Sequence, residues 1–248
     1  MIRLFAPAKL TLELRITGVR DDGYHLLDAE MVSLDLHDVL TVIPDASGLV
    51  AVGPHAGDIP LDDRNLVHRA LELAGRHARV TIDKQIPPGG GLGGGSADAA
   101  AILRWAGVDD LAAAVRVGAD VPFCMVGGRA RVRGIGELVE PLPHVDRRVT
   151  LVMPPLAVDT AAVYRAWDAL GGPTADGAND LEPAAISEYP ELAGWRDRIG
   201  GATGQQPILA GSGATWFVYG EHSNALAVVG EGASVVVART MPAPDRLE

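Results

Sequence analysis

The chain has 248 residues, 48% of them hydrophobic and 21% charged, enough apolar material for one large or two ordinary globular domains, which excludes disorder as its overall class. The 21 Lys and Arg against 32 Asp and Glu leave a formal net charge of −11, so neither a nucleic-acid-coating nor a membrane-surface role is expected. A lone cysteine, Cys124, excludes an intrachain disulfide and any multi-cysteine metal site, and fits a reducing cytoplasm.

Met1 to Pro7 contain no apolar run of signal-peptide length, so no export signal is expected. From Ala8 onward, Leu10, Leu12, Leu14 and Ile16 alternate with Lys9, Thr11, Glu13 and Arg15. That is the period of a half-buried strand, with Lys9 and Thr11 side by side on its polar face. Asp21-Asp22-Gly23 marks a turn, and further strands are expected at 30–36, 39–43 and 49–52, making the opening third β-rich. A helix is expected over 65–77, with Leu66, Ala70, Leu73 and Ala74 at helical spacing, and then a strand at 79–83. A glycine-rich loop leads into an alanine-rich helix over 97–106, and Asp109 or Asp110 caps another helix ending near Gly118. The segment 123–140 alternates around glycine pairs, as hairpins do. A second unit opens near residue 149 with a strand at 150–153 and a helix at 160–170, capped by Asp159 or Thr160. A helix around 190–199 precedes the longest uncharged run, 199–220, whose six glycines and Pro207 suit a turn leading into a strand rather than a spanning helix. A helix near 224–229 and a strand at 234–239 complete an α+β chain, divided into units 1–148 and 149–248.

The glycine loop runs Ile86-Pro87-Pro88-Gly89-Gly90-Gly91-Leu92-Gly93-Gly94-Gly95-Ser96, with Ala97 beginning the helix. Backbone N–H groups in such a run can meet an anion without Cβ obstruction, and the helix N-terminus adds free donors and about 0.3–1 kcal/mol for each nearby charge. Phosphate is the natural guest, and a plain flexible loop is the rival. Gly89, Gly91 and Gly94 satisfy the dinucleotide pattern G-x-G-x-x-G, but Lys84 to Pro88 separate the strand from the first glycine. The Walker A pattern finds Gly95 where its lysine must stand. The nucleophile elbow fails at Ser96, where Asp98 replaces glycine, and at Ser212, which lies between Ala210 and Ala214, so a serine hydrolase is not expected.

The segment Pro87 to Ala100 closely resembles the phosphate loop of the GHMP kinases, small-molecule kinases named after galactose, homoserine, mevalonate and phosphomevalonate. Ala6-Pro7-Ala8-Lys9-Leu10-Thr11-Leu12, Arg20-Asp21-Asp22-Gly23-Tyr24-His25-Leu26-Leu27 and Gly118-Ala119-Asp120-Val121-Pro122 match in order the branch acting on a cytidine-diphosphate-linked methylerythritol. Gly134-Ile135-Gly136-Glu137, Asn179-Asp180-Leu181-Glu182 and Gly211-Ser212-Gly213-Ala214 extend the match over essentially the whole chain. The resemblance implies a two-domain GHMP-kinase-like fold of α+β class, a ribosomal-protein-like N-terminal unit and a smaller α/β-plait-like C-terminal unit, with the active site in the cleft between them.

It further implies transfer of the ATP γ-phosphate to the 2-hydroxyl of the cytidyl-linked methylerythritol, with Asp120 as general base and Lys9 beside it. ATP binding is implied for Pro87, Pro88, Gly89, Gly90, Gly91, Leu92, Gly93, Gly94, Gly95, Ser96 and Ala97. Tyr24 and His25 resemble a cytidine-recognising pair, Tyr164 the second aromatic around the base, and Thr160 and Thr11 further substrate contacts. Gly211-Ser212-Gly213 resembles a turn lying against the phosphate loop, whereas Arg129, Arg131 and Arg133 read as a solvated strand face. The seven histidines show no metal-ligand spacing, so the expected metal is Mg²⁺ carried in with ATP.

Thr11 stands where the family usually has asparagine, Ala210 replaces a small hydroxyl residue, and the chain is short for the family. Two rival readings stay open, another GHMP kinase with a different alcohol and a catalytically silent nucleotide-binding protein on the same fold. The first gives no reason for Tyr24, His25 and Tyr164, and the second none for retaining Lys9 and Asp120. Monomer and homodimer both remain open.

Overall fold

The structure, a computed structural model, describes residues 1–223 and 232–244; the helix expected at 224–229 lies outside them. Two long strands organise it, β1 (Ile2–Val19) and β2 (His25–Pro44), paired antiparallel around the turn at Gly23. The strands expected at 30–36 and 39–43 are one, because the segment between them contains no breaker and the buried Asp38 finds partners there. Its carboxylate accepts from the backbone N–H groups of Gln85 and Ile86 at 2.6 and 2.8 Å. Register shifts interrupt β1 between Pro7 and Lys9 and between Thr11 and Glu13. The polar face expected to meet solvent is covered there, and Lys9 and Thr11 are 5% and 2% exposed.

Next come β3 (Gly48–Val52), α1 (Leu66–Leu73), β4 (Ala78–Asp83) and α2 (Gly94–Trp105). Asn65 caps α1 by accepting from the Val67 N–H at 3.0 Å, and Gly75, at φ 59°, follows its end, so the helix is shorter than expected. Asp110 caps α3 (Leu111–Ala114), and Asp120 stands at the N-cap of α4 (Val121–Val126). The expected hairpin beginning at Phe123 is a helix for its first residues. Pro122 in the first turn presets φ and has no N–H to leave unpaired. The hairpin itself is β5 (Arg129–Gly134) with β6 (Leu138–Leu142).

The remaining elements are β7 (Arg148–Met153), α5 (Thr160–Ala169), α6 (Glu182–Glu188), α7 (Glu191–Thr203), β8 (Ile208–Leu209), β9 (Trp216–Tyr219) and β10 (Ser234–Met241). α6 was not legible in the sequence as a separate helix. One continuous sheet runs β3-β4-β2-β10-β7-β9-β8, with β1 and the β5–β6 hairpin joined through β2. The join is short, Thr240 and Met241 of β10 against Leu34 and Ser33 of β2. An apolar cluster spans it, bringing Leu10, Val32 and Leu34 together with Leu151, Phe217 and Ala238. Fully burying a side chain such as Phe217 contributes about 1.5–3 kcal/mol, so the two halves of the chain are held by shared core as well as by the ladder.

Candidate active site

The phosphate loop takes its shape from glycines at left-handed φ, 74° at Gly89, 75° at Gly91 and 66° at Gly93. Gly91 also permits a close approach, since a Cβ there would lie 2.4 Å from the Ala210 carbonyl oxygen. Gly211-Ser212-Gly213 therefore packs directly on the loop, and the Thr215 N–H donates to the Gly90 carbonyl at 3.3 Å. Asn179 ties this second turn from behind, its amide donating to the carbonyls of Leu209 at 2.9 Å and Gly211 at 2.7 Å. Ala97 N–H closes the first turn of α2 onto the Gly93 carbonyl at 2.8 Å, which leaves the N–H groups of Gly94, Gly95 and Ser96 free for an anion. The loop lines a cavity of about 310 Å³ with Ile59, Pro60, Arg64 and Asn65 on its other side. A separate groove of about 290 Å³ between α1 and β3 holds none of the candidate residues.

Lys9 passes between the two glycine turns. Its backbone N–H donates to the Leu92 carbonyl at 3.0 Å, and a Cβ on Gly93 would sit 2.6 Å from its Cγ. Its Nζ lies 3.1 Å from Asp120 Oδ2 and donates to Thr11 Oγ1 at 3.2 Å. Thr11 thus commits its hydroxyl oxygen to the ammonium. The Asp120 side chain keeps 30% exposure at the start of α4, whereas that of the paired Lys9 keeps 6%. Behind Asp120 packs the Gly134–Glu137 turn, where a Cβ on Gly136 would lie 2.1 Å from the Ala119 carbonyl oxygen. One turn into α4, burial, with the Asp120 charge adding to it, pushes the Cys124 thiol up to about 12, so it stays a neutral thiol.

His25 and Tyr164 come together, their rings 4.7 Å apart, and Trp167 meets the imidazole edge-on at 5.4 Å. Burial, and then the charge of Asp120, hold the Tyr164 phenol above its usual range. Thr160 Oγ1 lies 2.8 Å from Ser212 Oγ, linking α5 to the second glycine turn. Tyr24 stands apart from this group, 59% exposed, with its ring centre 5.9 Å from the Arg20 guanidinium carbon. Arg129, Arg131 and Arg133 pair with Glu30, Asp28 and Glu140, and exposed pairs of this kind contribute about 0–1 kcal/mol each.

Sequence reasoning missed a buried ionic cluster under the loop. Lys84 Nζ donates to Asp38 Oδ2 at 2.5 Å and to Asp98 Oδ2 at 2.9 Å, and a Cβ on Gly94 would lie 2.8 Å from that nitrogen. Its one sequence signal is Asp98 inside an alanine-rich helix, an acid where the pattern asks for core. Burial works against the Lys84 ammonium, yet Asp98 and Asp38 together hold its pKa above the usual range. Asp38 has three donors, whereas Asp98 Oδ1 is buried without a partner, so Asp98 is the carboxylate that takes up a proton. Burial and the neighbouring Asp38 raise it from 3.8 to about 7 against the pull of Lys84. The folded state then binds this proton more tightly than the unfolded chain, so its contribution to stability falls as pH rises from about 4 to about 7 and is flat above. Urea unfolding across that range is expected to show the decline in the wild type and to lose it in Asp98→Asn; parallel curves for the two would contradict the assignment.

Residues 64–128 match the family of the GHMP kinases N terminal domain. A relative in Paracoccus denitrificans, named 4-diphosphocytidyl-2-C-methyl-D-erythritol kinase, is 42% identical over 86% of this chain and 84% of its own length. The crystal structure of a 4-(cytidine 5'-diphospho)-2C-methyl-D-erythritol kinase superposes with a TM-score of 0.74 at 33% identity, over 97% of this chain and all 100% of that one. A homoserine kinase from Cytophaga hutchinsonii, 18% identical, shares the fold with a TM-score of 0.65 over 98% of this chain and 95% of its own. Identity at this level over most of both chains, together with the paired glycine turns and the Lys9–Asp120 pair, makes this chain a member of the 4-diphosphocytidyl-2-C-methyl-D-erythritol kinase family within the GHMP kinases.

Proposed function

We propose that the protein transfers the γ-phosphate of ATP to the 2-hydroxyl of 4-diphosphocytidyl-2-C-methyl-D-erythritol, a step toward isoprenoid precursors. The observation that carries the reading is the Lys9–Asp120 pair, 3.1 Å apart at the junction of the phosphate loop and the cleft. The free N–H groups of Gly94, Gly95 and Ser96 and the α2 dipole hold the polyphosphate. The cytosine docks on His25 and Tyr164, and Thr160 and Ser212 border the path from base to hydroxyl. Asp120 accepts the proton of the attacking alcohol as its oxygen bonds the γ-phosphorus, and the bond to the β-phosphate oxygen breaks with its electron pair leaving on ADP. The Lys9 ammonium keeps the carboxylate aimed at the hydroxyl and offsets charge on the moving phosphoryl oxygens.

Mg²⁺ brought with ATP would neutralise charge on the phosphates. Among the described residues no group of three or more His, Cys, Asp or Glu side chains converges as a metal site. Units 1–148 and 149–248 form the two walls of the cleft in this reading, the first supplying Lys9, the loop and Asp120, the second Thr160 and Tyr164. Among the described residues no helix is long and apolar enough to cross a membrane. In this reading the enzyme works in the cytoplasm as a monomer or homodimer, and its net charge of −11 supports a small-molecule substrate rather than nucleic acid.

Coupled ADP release with Mg·ATP tests the reading against a panel of alcohols. Turnover is expected with the cytidyl-linked methylerythritol and not with homoserine or mevalonate; release only with another alcohol, or with none despite ATP binding, would overturn it.

A further inference from the structure

His25 is the first residue of β2, and α5 brings two aromatic rings and a carboxylate to its imidazole. Tyr164, Trp167 and Asp168 stand at i, i+3 and i+4 on one face of α5 or just at its end, so one helix face presents a stacking ring, an edge contact and a carboxylate. Asp168 Oδ1 lies 2.8 Å from His25 Nε2. An ionised carboxylate only accepts, so Nε2 must carry the hydrogen, and in the neutral imidazole Nδ1 is then a bare acceptor. Nδ1 has no protein partner among the described residues. The His25 side chain keeps 11% exposure and that of Asp168 keeps 50%.

A bare ring nitrogen recognises a donor and rejects an acceptor. Cytosine offers an exocyclic amino group, and uracil offers a carbonyl oxygen at the same place. Resting on the functional reading above, we propose that Asp168 is a positioning residue that locks His25 in the Nε2–H tautomer, so that Nδ1 accepts from an exocyclic amino group and selects a cytidyl over a uridyl substrate. Asp168 does not touch the substrate in this account. It acts through the imidazole, as the outer partner of an oriented histidine does elsewhere. Asparagine at this position can donate as well as accept, and glutamate can restore the carboxylate from one methylene further out.

The experiment compares wild type, Asp168→Asn and Asp168→Glu. Nitrogen-15 spectra of histidine-labelled protein, with the His25 signals assigned from a His25→Gln sample, are expected to show the Nε2–H tautomer in wild type and a mixture in Asp168→Asn. In steady-state assays Asp168→Asn is expected to raise KM for the cytidyl substrate and to lower the preference over the uridyl analogue by about tenfold or more, with kcat unchanged. Asp168→Glu is expected to recover part of that preference. An Nδ1–H tautomer in wild type, an unchanged cytidyl-to-uridyl ratio in Asp168→Asn, or an equal fall in kcat would overturn the proposal. Absence of turnover in wild type would instead sink the functional reading, and the tautomer together with the relative binding of CMP and UMP would still decide this one.

Discussion

Asp120→Asn is expected to lower kcat by roughly 10²–10⁴ while ATP still binds, because it removes the proton acceptor and leaves the phosphate loop untouched. The substitution is nearly isosteric, so the α4 N-terminus and the Gly136 approach behind it should survive. Lys9→Met should fall by a comparable factor, since the ammonium holds that carboxylate at 3.1 Å. The two act as a unit, so the double variant is expected to be little worse than either single one. Rapid-quench measurement of phosphoryl transfer separates the chemical step from product release. Activity within about threefold of wild type in Asp120→Asn would mean that the carboxylate merely orients the alcohol and does not accept its proton.

Lys84→Met is expected to cost roughly 3–5 kcal/mol of stability, the usual penalty for breaking a buried ion pair from one side. Asp38 and Asp98 are 0% and 2% exposed, so neither carboxylate can turn to water when the ammonium is lost. Asp38 is affected most, because its carboxylate also holds the Gln85 and Ile86 amides that lead into the loop. Adding Asp98→Asn to Lys84→Met should recover little, since Asp98 is the member that can become neutral. Denaturant midpoints measure the effect, and a loss below about 1 kcal/mol would place this cluster with ordinary surface pairs.

The glycine loop and its helix were legible because each glycine has a steric or conformational reason that the sequence pattern carries: left-handed φ at Gly89, Gly91 and Gly93, and close backbone contact at Gly91. Lys9 and Thr11 were legible as a pair, since period two puts them on one face, but their burial was not. The cover comes from Leu92 and from Gly211, more than 80 and 200 residues along the chain, and no local pattern carries that. Phe123 to Val126 read as the start of a hairpin because Val121 to Met125 are buried all round, which removes the polar positions that distinguish a period of two from one of 3.6. Asp168 had no signal at all: an exposed helical acid looks like solvated surface until β2 brings His25 beside it. Tyr24 illustrates the reverse. Its motif groups it with His25, and in the structure it lies just before the start of β2, 59% exposed, with its ring near Arg20.

The measurement that bears most directly on the account is phosphorus-31 NMR of wild-type enzyme with Mg·ATP and the cytidyl-linked methylerythritol. One new phosphomonoester on the 2-hydroxyl, formed in step with ADP and with the cytidyl diphosphate intact, is the predicted result. Cleavage of the diphosphate, phosphorylation at another hydroxyl, or ADP formed without any new monoester would contradict it.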